Sequence, residues 1–241
     1  MKLLKDILYK VPVNTVYGDT SIEVAQISFD SRIIKNGAVF VAQKGVSVDG
    51  HLYIDKAISL GATSIICEVL PEEIQDNITF IQVENANTTL AIIASNFYNN
   101  PSSKLKLIGV TGTNGKTTVA SLLYQLFKKA GYKTGLLSTV QILVDTTLFK
   151  ATHTTPDSVT INNYLNQMVL LGVDFCFMEV SSHGIHQKRT EGLEFTGGIF
   201  TNLSHDHLDY HNSFASYRDV KKMFFDSLPK TGTFGDFGGF F

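Results

Sequence analysis

The segment Gly112-Thr113-Asn114-Gly115-Lys116-Thr117-Thr118 combines residue types that can hold a phosphate group. Its glycines let backbone N–H groups turn toward one point, and a helix that begins there adds its unpaired N–H donors. Lys116 could reach the β- and γ-phosphates of a nucleotide, and Thr117 could offer its hydroxyl to Mg²⁺. The strict pattern has a glycine five residues before Gly115, where this chain has Val110. The segment predicts a phosphate-binding loop with one departure, and a plain glycine turn is the alternative.

The residues on either side of this loop predict the strand and helix that would position it. The apolar run 105–110 is typical of a buried strand. Helical spacing over 119–130 predicts a helix with Val119, Leu122, Leu123 and Leu126 on its apolar face. A glycine-rich turn between a strand and a helix is the context that a phosphate loop needs. We expect the Lys116 side chain to be exposed.

A second candidate group is the carboxylate of Glu179, at the far end of the apolar run 174–180. The carboxyl ends of parallel strands share one edge of a sheet, so Glu179 should face the same edge as the loop. Mg²⁺ takes one or two carboxylates and keeps several waters, so Glu179 is the natural second ligand beside Thr117. The alternative is a solvated glutamate at a strand end.

Histidines are concentrated in the second half of the chain. Six of the seven lie within 59 positions: His153, His183, His186, His205, His207 and His211. No cysteine with zinc-ligand spacing accompanies them, which disfavours structural zinc. We expect a polar phosphate site in which one histidine binds metal, although any single histidine could be an ordinary hydrogen-bonded or surface residue.

Two hydroxyl-rich loops lie near these strand ends. His153-Thr154-Thr155-Pro156-Asp157 precedes a predicted helix over 159–171, and its donors suit anionic groups. Ser181-Ser182-His183-Gly184 follows the Glu179 strand and is itself followed by Gln187 and Arg189. Arg189 could bind a carboxylate or phosphate with two parallel hydrogen bonds. Ordinary helix capping is the alternative for the serines.

The first hundred residues predict a smaller α/β domain. We expect helices over 2–10, 52–60 and 87–98, and strands over 23–29, 38–42, 64–69 and 79–83. Asp30-Ser31-Arg32 is either a turn or a contact to a phosphorylated ligand, and a second loop runs from Gln43 to His51. The stretch 99–103 is the best linker candidate. After it, alternating strands and helices predict a central domain with a mainly parallel sheet, so the fold class is α/β.

Composition narrows the possible functions. The chain has 241 residues, is 44% hydrophobic and 17% charged, and has a net charge of −2, so we expect no electrostatic binding to nucleic acid or to an anionic membrane. Its two cysteines lie in apolar runs and suggest a reduced, cytoplasmic protein. We find neither a signal peptide nor an apolar run long enough to span a bilayer. We expect a monomer.

Three segments together resemble the Mur ligases, the ATP-dependent amide-forming enzymes of peptidoglycan synthesis. They are the 112–118 loop, Glu179-Val180-Ser181-Ser182-His183-Gly184, and the run 201–211, TNLSHDHLDYH, which a lysine-bearing helix over 216–227 follows. In that family a residue other than glycine at the Val110 position is normal. The His153–Pro156 loop and the Ser-Ser-His-Gly segment most resemble the branch that adds a diamino acid, meso-diaminopimelate or L-lysine, to UDP-N-acetylmuramoyl-L-alanyl-D-glutamate.

The resemblance implies roles for individual residues. Loop residues 112–118 would hold ATP. Thr117 and Glu179 would hold one Mg²⁺ and His207 would bind a second, while Lys221, as a carbamate, would supply an anionic oxygen ligand for Mg²⁺. Lys116, Glu179, His207 and Lys221 would form the catalytic set. The UDP-sugar end of the substrate would lie on Phe29, Ser31, Lys44 and Gly45. The muramoyl-peptide end would lie on His153, Thr154, Thr155, Ser181, Gln187 and Arg189. The γ-phosphoryl of ATP would activate the D-glutamate side-chain carboxylate, and the amine would attack the acyl phosphate.

The resemblance also implies domain bounds: a UDP-sugar-binding domain over 1–100, an incomplete ATP-binding domain over 104–230, and a Gly/Phe-rich tail over 231–241 that matches nothing in the family. A third family domain has no counterpart here, so we expect a truncated or frame-shifted chain that binds ligands without completing ligation. The alternatives are another member of the superfamily, such as MurF, MurC or folylpolyglutamate synthase, and a non-catalytic fragment that binds nucleotide or UDP-sugar.

Overall fold

The computed structural model describes residues 2–45, 48–151, 153–206, 208–211 and 213–229, without the side chains of residues 208 and 209. His207 and the tail over 231–241, both singled out above, lie outside the described residues. The chain divides into two compact units, Met1–Asn99 (unit 1) and Asn100–Phe241 (unit 2). Both contain helices packed on mostly parallel sheets, so the predicted α/β class is confirmed.

Unit 1 is built on a five-stranded sheet in the order β2–β7–β6–β5–β4. Its strands are β2 (Val13–Tyr17), β4 (Gln26–Ser28), β5 (Ala38–Ala42), β6 (Ala62–Cys67) and β7 (Thr79–Val83). The edge strand β2 is antiparallel to β7, and the other neighbours are parallel. The strands β1 (Lys2–Leu3) and β3 (Glu23–Val24) form a separate antiparallel pair. Every residue of β5 is buried, as expected for a central strand of a covered sheet.

The helices of unit 1 are α1 (Leu4–Ile7), α2 (Ile54–Ser59) and α3 (Ala86–Phe97). The first is much shorter than the predicted 2–10 helix. It begins later because Lys2 and Leu3 pair with β3, and it ends earlier at a turn over residues 8–10, where Lys10 has φ 62°. A 3₁₀ turn over Gly50–Tyr53 precedes α2, which therefore begins two residues later than predicted. Phe40, Ile65 and Phe80 pack against α2 and form the core of this side of the sheet.

Unit 2 is built on a six-stranded sheet in the order β11–β10–β9–β12–β8–β13. Its strands are β8 (Lys106–Thr111), β9 (Thr134–Leu137), β10 (Ile142–Val144), β11 (Thr147–Phe149), β12 (Phe175–Glu179) and β13 (Gly197–Phe200). The neighbours among β9, β12, β8 and β13 are parallel, and β10 and β11 form an antiparallel hairpin at one edge. The carboxyl ends of four strands therefore share one edge.

The helices of unit 2 are α4 (Lys116–Lys129), α5 (Ser158–Leu170), α6 (Ser182–His186), α7 (Leu208–His211) and α8 (Phe214–Asp226). The predicted apolar face of α4 is partly wrong. Leu122 and Leu126 are 59% and 60% exposed, whereas Ala120 and Tyr124 are buried. The residues that pack on the sheet are spaced as 120, 124 and 127, and this spacing turns Leu122 and Leu126 outward.

Strands β2, β10, β11 and β13 were not predicted. Two of them have only three residues, and β13 begins with two glycines, which have low strand propensity. Within the described ranges, no helix is long and apolar enough to cross a membrane.

Candidate active site

The 112–118 loop lies between β8 and α4, and its two glycines are required by the geometry. Gly112 has φ +146°, and a Cβ there would lie 2.0 Å from the Thr201 hydroxyl oxygen. Gly115 has φ +83° and occupies the position before the first residue of α4. Both backbones adopt conformations that L side chains rarely take, which explains why glycine is needed. The first turn of α4 thus presents backbone N–H groups beside exposed Gly115 and Thr118.

Val110, the departure from the strict phosphate-loop pattern, is a fully buried strand residue. It pairs with Glu179 in the parallel register of β8 and β12, and its carbonyl accepts the Val180 N–H at 2.9 Å. The bend of the loop begins only at Gly112. A glycine at 110 would remove a packed side chain from the centre of the sheet without serving a turn.

Residues 201–204, directly after β13, hold the loop in place. The Asn202 side chain accepts the Asn114 N–H at 2.9 Å and donates to the Asn114 carbonyl at 3.0 Å. The Thr201 hydroxyl donates to the same carbonyl at 2.6 Å. The Thr113 hydroxyl accepts the Ser204 N–H at 3.0 Å. These contacts join two strand ends and hold the loop in its bent shape.

Two lysines converge on one carbonyl oxygen of the loop. Lys116 Nζ and Lys221 Nζ both lie 2.9 Å from the Gly112 carbonyl oxygen, and Lys116 also donates to the Thr113 carbonyl at 2.8 Å. Lys116 is half-buried, so the expectation of an exposed side chain is wrong: its ammonium group folds back onto the loop. Lys221 is 3% exposed.

Burial and the second ammonium group change the proton affinity of both side chains. Desolvation lowers the pKa of Lys116, and the nearby carboxylates of Glu179 and Asp206 oppose this effect. Desolvation, followed by repulsion from Lys116, lowers the pKa of Lys221 from 10.5 to about 7. A large fraction of Lys221 is therefore a neutral amine near neutral pH, and a neutral amine is the form that reacts with CO₂.

Asp206 and Tyr217 belong to this site, although sequence reasoning gave them no role. The Asp206 carboxylate attracts the charges of both Lys116 and Lys221. Tyr217 is buried, its hydroxyl lies 3.1 Å from the Thr113 hydroxyl, and Lys221 Nζ lies 4.6 Å from its ring centre. Asp206 could have been suspected because it stands between two histidines. Tyr217 carries no such signal, because a lone tyrosine on an amphipathic helix is usually a core residue.

Glu179 ends β12 and is fully buried. One carboxylate oxygen accepts the Thr139 N–H at 2.8 Å, and the other lies 3.1 Å from the Thr139 hydroxyl. Thr139 follows β9, the strand beside β12, so two neighbouring strand ends meet here as the parallel sheet predicts. A buried carboxylate with one donor on each oxygen retains lone pairs for a cation.

These residues fit a magnesium ion in their chemistry. Glu179 offers carboxylate oxygens and Thr117 a half-buried hydroxyl, which are the hard oxygen ligands that Mg²⁺ prefers. Lys221 as an ammonium group repels a cation, whereas a carbamate on the same nitrogen would supply an anionic oxygen. Among the described residues, no group of three or more histidine, cysteine, aspartate or glutamate side chains could hold a metal.

The structure places three of the six predicted peptide-end residues around Glu179. Thr155 is buried, and its hydroxyl donates to the Glu179 carbonyl at 3.0 Å and accepts the Ser181 N–H at 2.9 Å. The Thr154 hydroxyl lies 3.1 Å from that of Thr139. Ser181 also caps α6 through the Gly184 N–H. Thr155 and Ser181 therefore have structural roles of their own, and His153 is exposed on the preceding loop.

The Arg189 guanidinium group is held by hydrogen bonds to nearby residues of unit 2. Its Nε and Nη2 donate to the Gln187 amide oxygen at 3.1 and 2.6 Å, and its Nη1 donates to the Thr155 carbonyl at 2.6 Å. Desolvation lowers the pKa of the guanidinium group, and the charge of Asp157 opposes this effect. Arg189 is thus a fixed, partly desolvated cation.

In unit 1, a cavity of about 470 Å³ brings together three of the four residues predicted for the sugar end. Phe29, Ser31 and Gly45 line it, whereas Lys44 is exposed outside its lining. Residues without a predicted role also line it: Gln43, Gly50, Tyr53 and Lys56. Arg32 lines it too, but its guanidinium group is paired with Asp30 at 2.7 Å.

His51 anchors the loop that borders this cavity. Its Nδ1 lies 2.6 Å from the Asp49 carboxylate, and its Nε2 accepts the Glu68 and Val69 N–H groups at 3.0 and 3.2 Å. Since Nε2 is an acceptor, the ring is neutral and carries its proton on Nδ1. These contacts tie residues 49–51 to the segment that follows β6.

Comparison with known proteins bears on the family to which the chain belongs. The model of the Mur ligase middle domain matches residues 110–234, just over half of the chain, and that of the Mur ligase family catalytic domain matches residues 23–98. A protein of Cytophaga hutchinsonii, named UDP-N-acetylmuramoyl-L-alanyl-D-glutamate--2,6-diaminopimelate ligase, is 54% identical over 227 residues, which are 94% of this chain and 47% of that protein. The chain thus spans about half the length of the curated relatives it matches.

Solved structures agree in fold. A structure with the same ligase name has a TM-score of 0.74 and 23% identity, covering 93% of this chain and 45% of its own. A MurF ligase from Thermotoga maritima in complex with ADP has a TM-score of 0.54 and 23% identity, covering 81% and 42%. With both of its units matched by the family's domain models, the chain belongs to the Mur ligase family.

Proposed function

We propose that the chain is the nucleotide- and precursor-binding part of an ATP-dependent ligase that joins a diamino acid to UDP-N-acetylmuramoyl-L-alanyl-D-glutamate. The observation that carries the proposal is the convergence of Lys116 and Lys221 on the Gly112 carbonyl of the loop, with the Glu179 carboxylate near enough to attract the Lys116 charge. The relatives' names favour 2,6-diaminopimelate as the amine. The names also favour this branch over those that take other precursors.

The proposed chemistry begins with transfer of the γ-phosphoryl group of ATP to the D-glutamate side-chain carboxylate. The amine then attacks the acyl phosphate, and phosphate leaves. Phosphoryl transfer depends on positioning and on charge neutralisation more than on protein nucleophiles. Lys116 and the loop N–H groups would bind the β- and γ-phosphates. The MurF ligase from Thermotoga maritima, which has a similar fold, is in complex with ADP.

Thr117 and Glu179 would hold one Mg²⁺, His207 a second, and carbamylated Lys221 would add an anionic oxygen ligand; bound Mg²⁺ would neutralise phosphate charge. In this assignment Lys221 has two states. As an amine it donates to the Gly112 carbonyl, and as a carbamate it removes a positive charge beside Lys116 and adds a negative one. The low pKa of Lys221 supports the carbamate, because the amine is deprotonated without a separate base.

We assign the sugar end of the precursor to the unit 1 cavity and its peptide end to Arg189 and Gln187 in unit 2. The test is calorimetric titration of the 241-residue chain with UDP-N-acetylmuramoyl-L-alanyl-D-glutamate, with the precursor that lacks D-glutamate, and with the tripeptide precursor. We expect tightest binding of the dipeptide precursor. Equal affinity for all three precursors would overturn the assignment to this branch, and so would an affinity for the dipeptide precursor no higher than that for UDP alone. This readout is independent of turnover.

A further inference from the structure

We propose that Tyr210 is a positioning residue: its hydroxyl fixes the Gln187 amide, and the fixed amide aims the Arg189 guanidinium group at a carboxylate of the peptide end of the precursor. The inference rests on the proposed function, because that function supplies the carboxylate. Its structural basis is a chain of hydrogen bonds that runs from α7 to the segment after α6.

The first link joins Tyr210 to the segment after α6. The Gln187 amide nitrogen donates to the Tyr210 hydroxyl oxygen at 3.3 Å, and His186 Nδ1 lies 3.0 Å from the same oxygen. When Gln187 donates to this oxygen, the hydroxyl proton is available to His186. One phenolic oxygen therefore satisfies two neighbouring side chains.

The second link follows from the chemistry of the amide. With its nitrogen on Tyr210, Gln187 must present its oxygen to the Arg189 Nε and Nη2. A flipped amide would set its N–H donors against guanidinium N–H donors, and Tyr210 would then face an acceptor. The Arg189 donors therefore set which way the amide faces, and the Tyr210 hydroxyl holds its nitrogen end in place.

The third link concerns what Arg189 can still bind. The guanidinium group has five N–H donors, and the described contacts use one each on Nε, Nη2 and Nη1. Within the described part of the chain, one N–H on Nη1 and one on Nη2 are not used by these contacts. With the Thr155 carbonyl on the Nη1 N–H that faces Cδ, these two lie side by side on the outer edge of the planar group, the arrangement that binds a carboxylate with two parallel hydrogen bonds.

The Tyr210 ring is itself held firmly. Its centre lies 4.0 Å from the His183 ring, and the His186 and His211 rings meet it edge to face at 5.5 and 4.9 Å. Phenylalanine preserves all three ring contacts and removes only the hydroxyl. Tyr210→Phe therefore tests the hydrogen bond rather than the packing.

The experiment is calorimetric titration of the 241-residue chain with two ligands. One is UDP-N-acetylmuramoyl-L-alanyl-D-glutamate, and the other is the same nucleotide sugar ending in L-alaninamide, which has no carboxylate. We expect Arg189→Ala to weaken the first by about 30-fold or more and Tyr210→Phe by about 5- to 10-fold, within the range of lost charge-assisted and neutral hydrogen bonds. Neither should change binding of the amide ligand by more than about twofold.

A double-mutant cycle isolates the relay. In a Gln187→Ala background, Tyr210→Phe should have no further effect, because the amide through which it acts is absent. If Arg189→Ala leaves dipeptide binding unchanged, the assignment of the peptide end fails. If Arg189→Ala weakens binding but Tyr210→Phe does not, the relay is refuted while the assignment stands. An equal loss for both ligands, or a full Tyr210 effect without Gln187, also refutes the relay.

Discussion

Replacing Lys221 with methionine should stabilise the fold while removing a group that the proposed reaction needs. Lys221 is 3% exposed, and burial lowers its pKa from 10.5 to about 7. Methionine has similar length and no charge to desolvate. The carbonyl that Lys221 contacts keeps the ammonium group of Lys116 as a donor.

The magnitude follows from proton linkage. Because the folded pKa lies below the unfolded one, the unfolded chain binds more protons between pH 7 and pH 10.5, and stability rises with pH across that window. The two pKa values imply that Lys221 costs about 4 kcal/mol at pH 7.5 and about 2 kcal/mol at pH 9. Lys221→Met should therefore gain about 4 kcal/mol at pH 7.5 and only about 2 kcal/mol at pH 9.

The assay is urea unfolding of both proteins in CO₂-free buffer at pH 7.5, 8.25 and 9. Lys222→Met is the matched control, because Lys222 is the next residue of α8 and its exposed side chain pairs with Asp226. This surface pair should contribute less than about 1 kcal/mol, with little pH dependence. The account of a desolvated amine is refuted if the free energy of unfolding changes with pH by the same amount in the wild type and Lys221→Met. It is also refuted if Lys221→Met is less stable than the wild type at all three pH values.

Three further predictions concern other parts of the molecule. Gly112→Ala should lower the melting temperature and abolish nucleotide binding, because its Cβ would collide with Thr201; unchanged values of both by thermal unfolding and calorimetry would contradict this. Glu179→Gln should keep the fold, because an amide oxygen can still accept the Thr139 N–H, but lose about tenfold or more in Mg²⁺-dependent nucleotide affinity. The nucleotide affinity measured without Mg²⁺ should be the same for Glu179→Gln and the wild type. If Mg²⁺ raises nucleotide affinity equally in both proteins, Glu179 is not a ligand of the metal. His51→Gln, which keeps an acceptor near Nε2, should bind UDP better than His51→Asn, and the reverse order would refute the proposed anchoring.

The regular elements of the fold could be predicted because their patterns are local. Strands β5 and β7 have the predicted bounds, and α3 and α5 differ from theirs by one residue. Strand β13 could not be predicted from its two glycines, because its place is set by pairing with β8. The exposure of Leu122 and Leu126 likewise depends on which face of α4 the sheet covers.

Some residues of the candidate site could likewise be predicted from the sequence, and others could not. The loop, Glu179 and the hydroxyl-rich segments have recognisable residue types, and the structure places them at one sheet edge. Lys221 is one charge on an amphipathic helix, and only its burial beside Lys116 reveals its altered chemistry. The contacts of Thr155 could not be predicted either, because they join residues more than 20 positions apart.

The central claim is that the 112–118 loop binds the phosphates of Mg²⁺–ATP through Lys116. It is tested most directly by calorimetric titration of the 241-residue chain with a non-hydrolysable ATP analogue and Mg²⁺, comparing wild type, Lys116→Ala and Lys222→Ala. The account predicts saturable binding that Lys116→Ala weakens by about 10- to 100-fold and Lys222→Ala leaves within about twofold, as expected for one buried charge-assisted phosphate contact. Equal affinity of the wild type and Lys116→Ala, with both chains folded, would contradict the account.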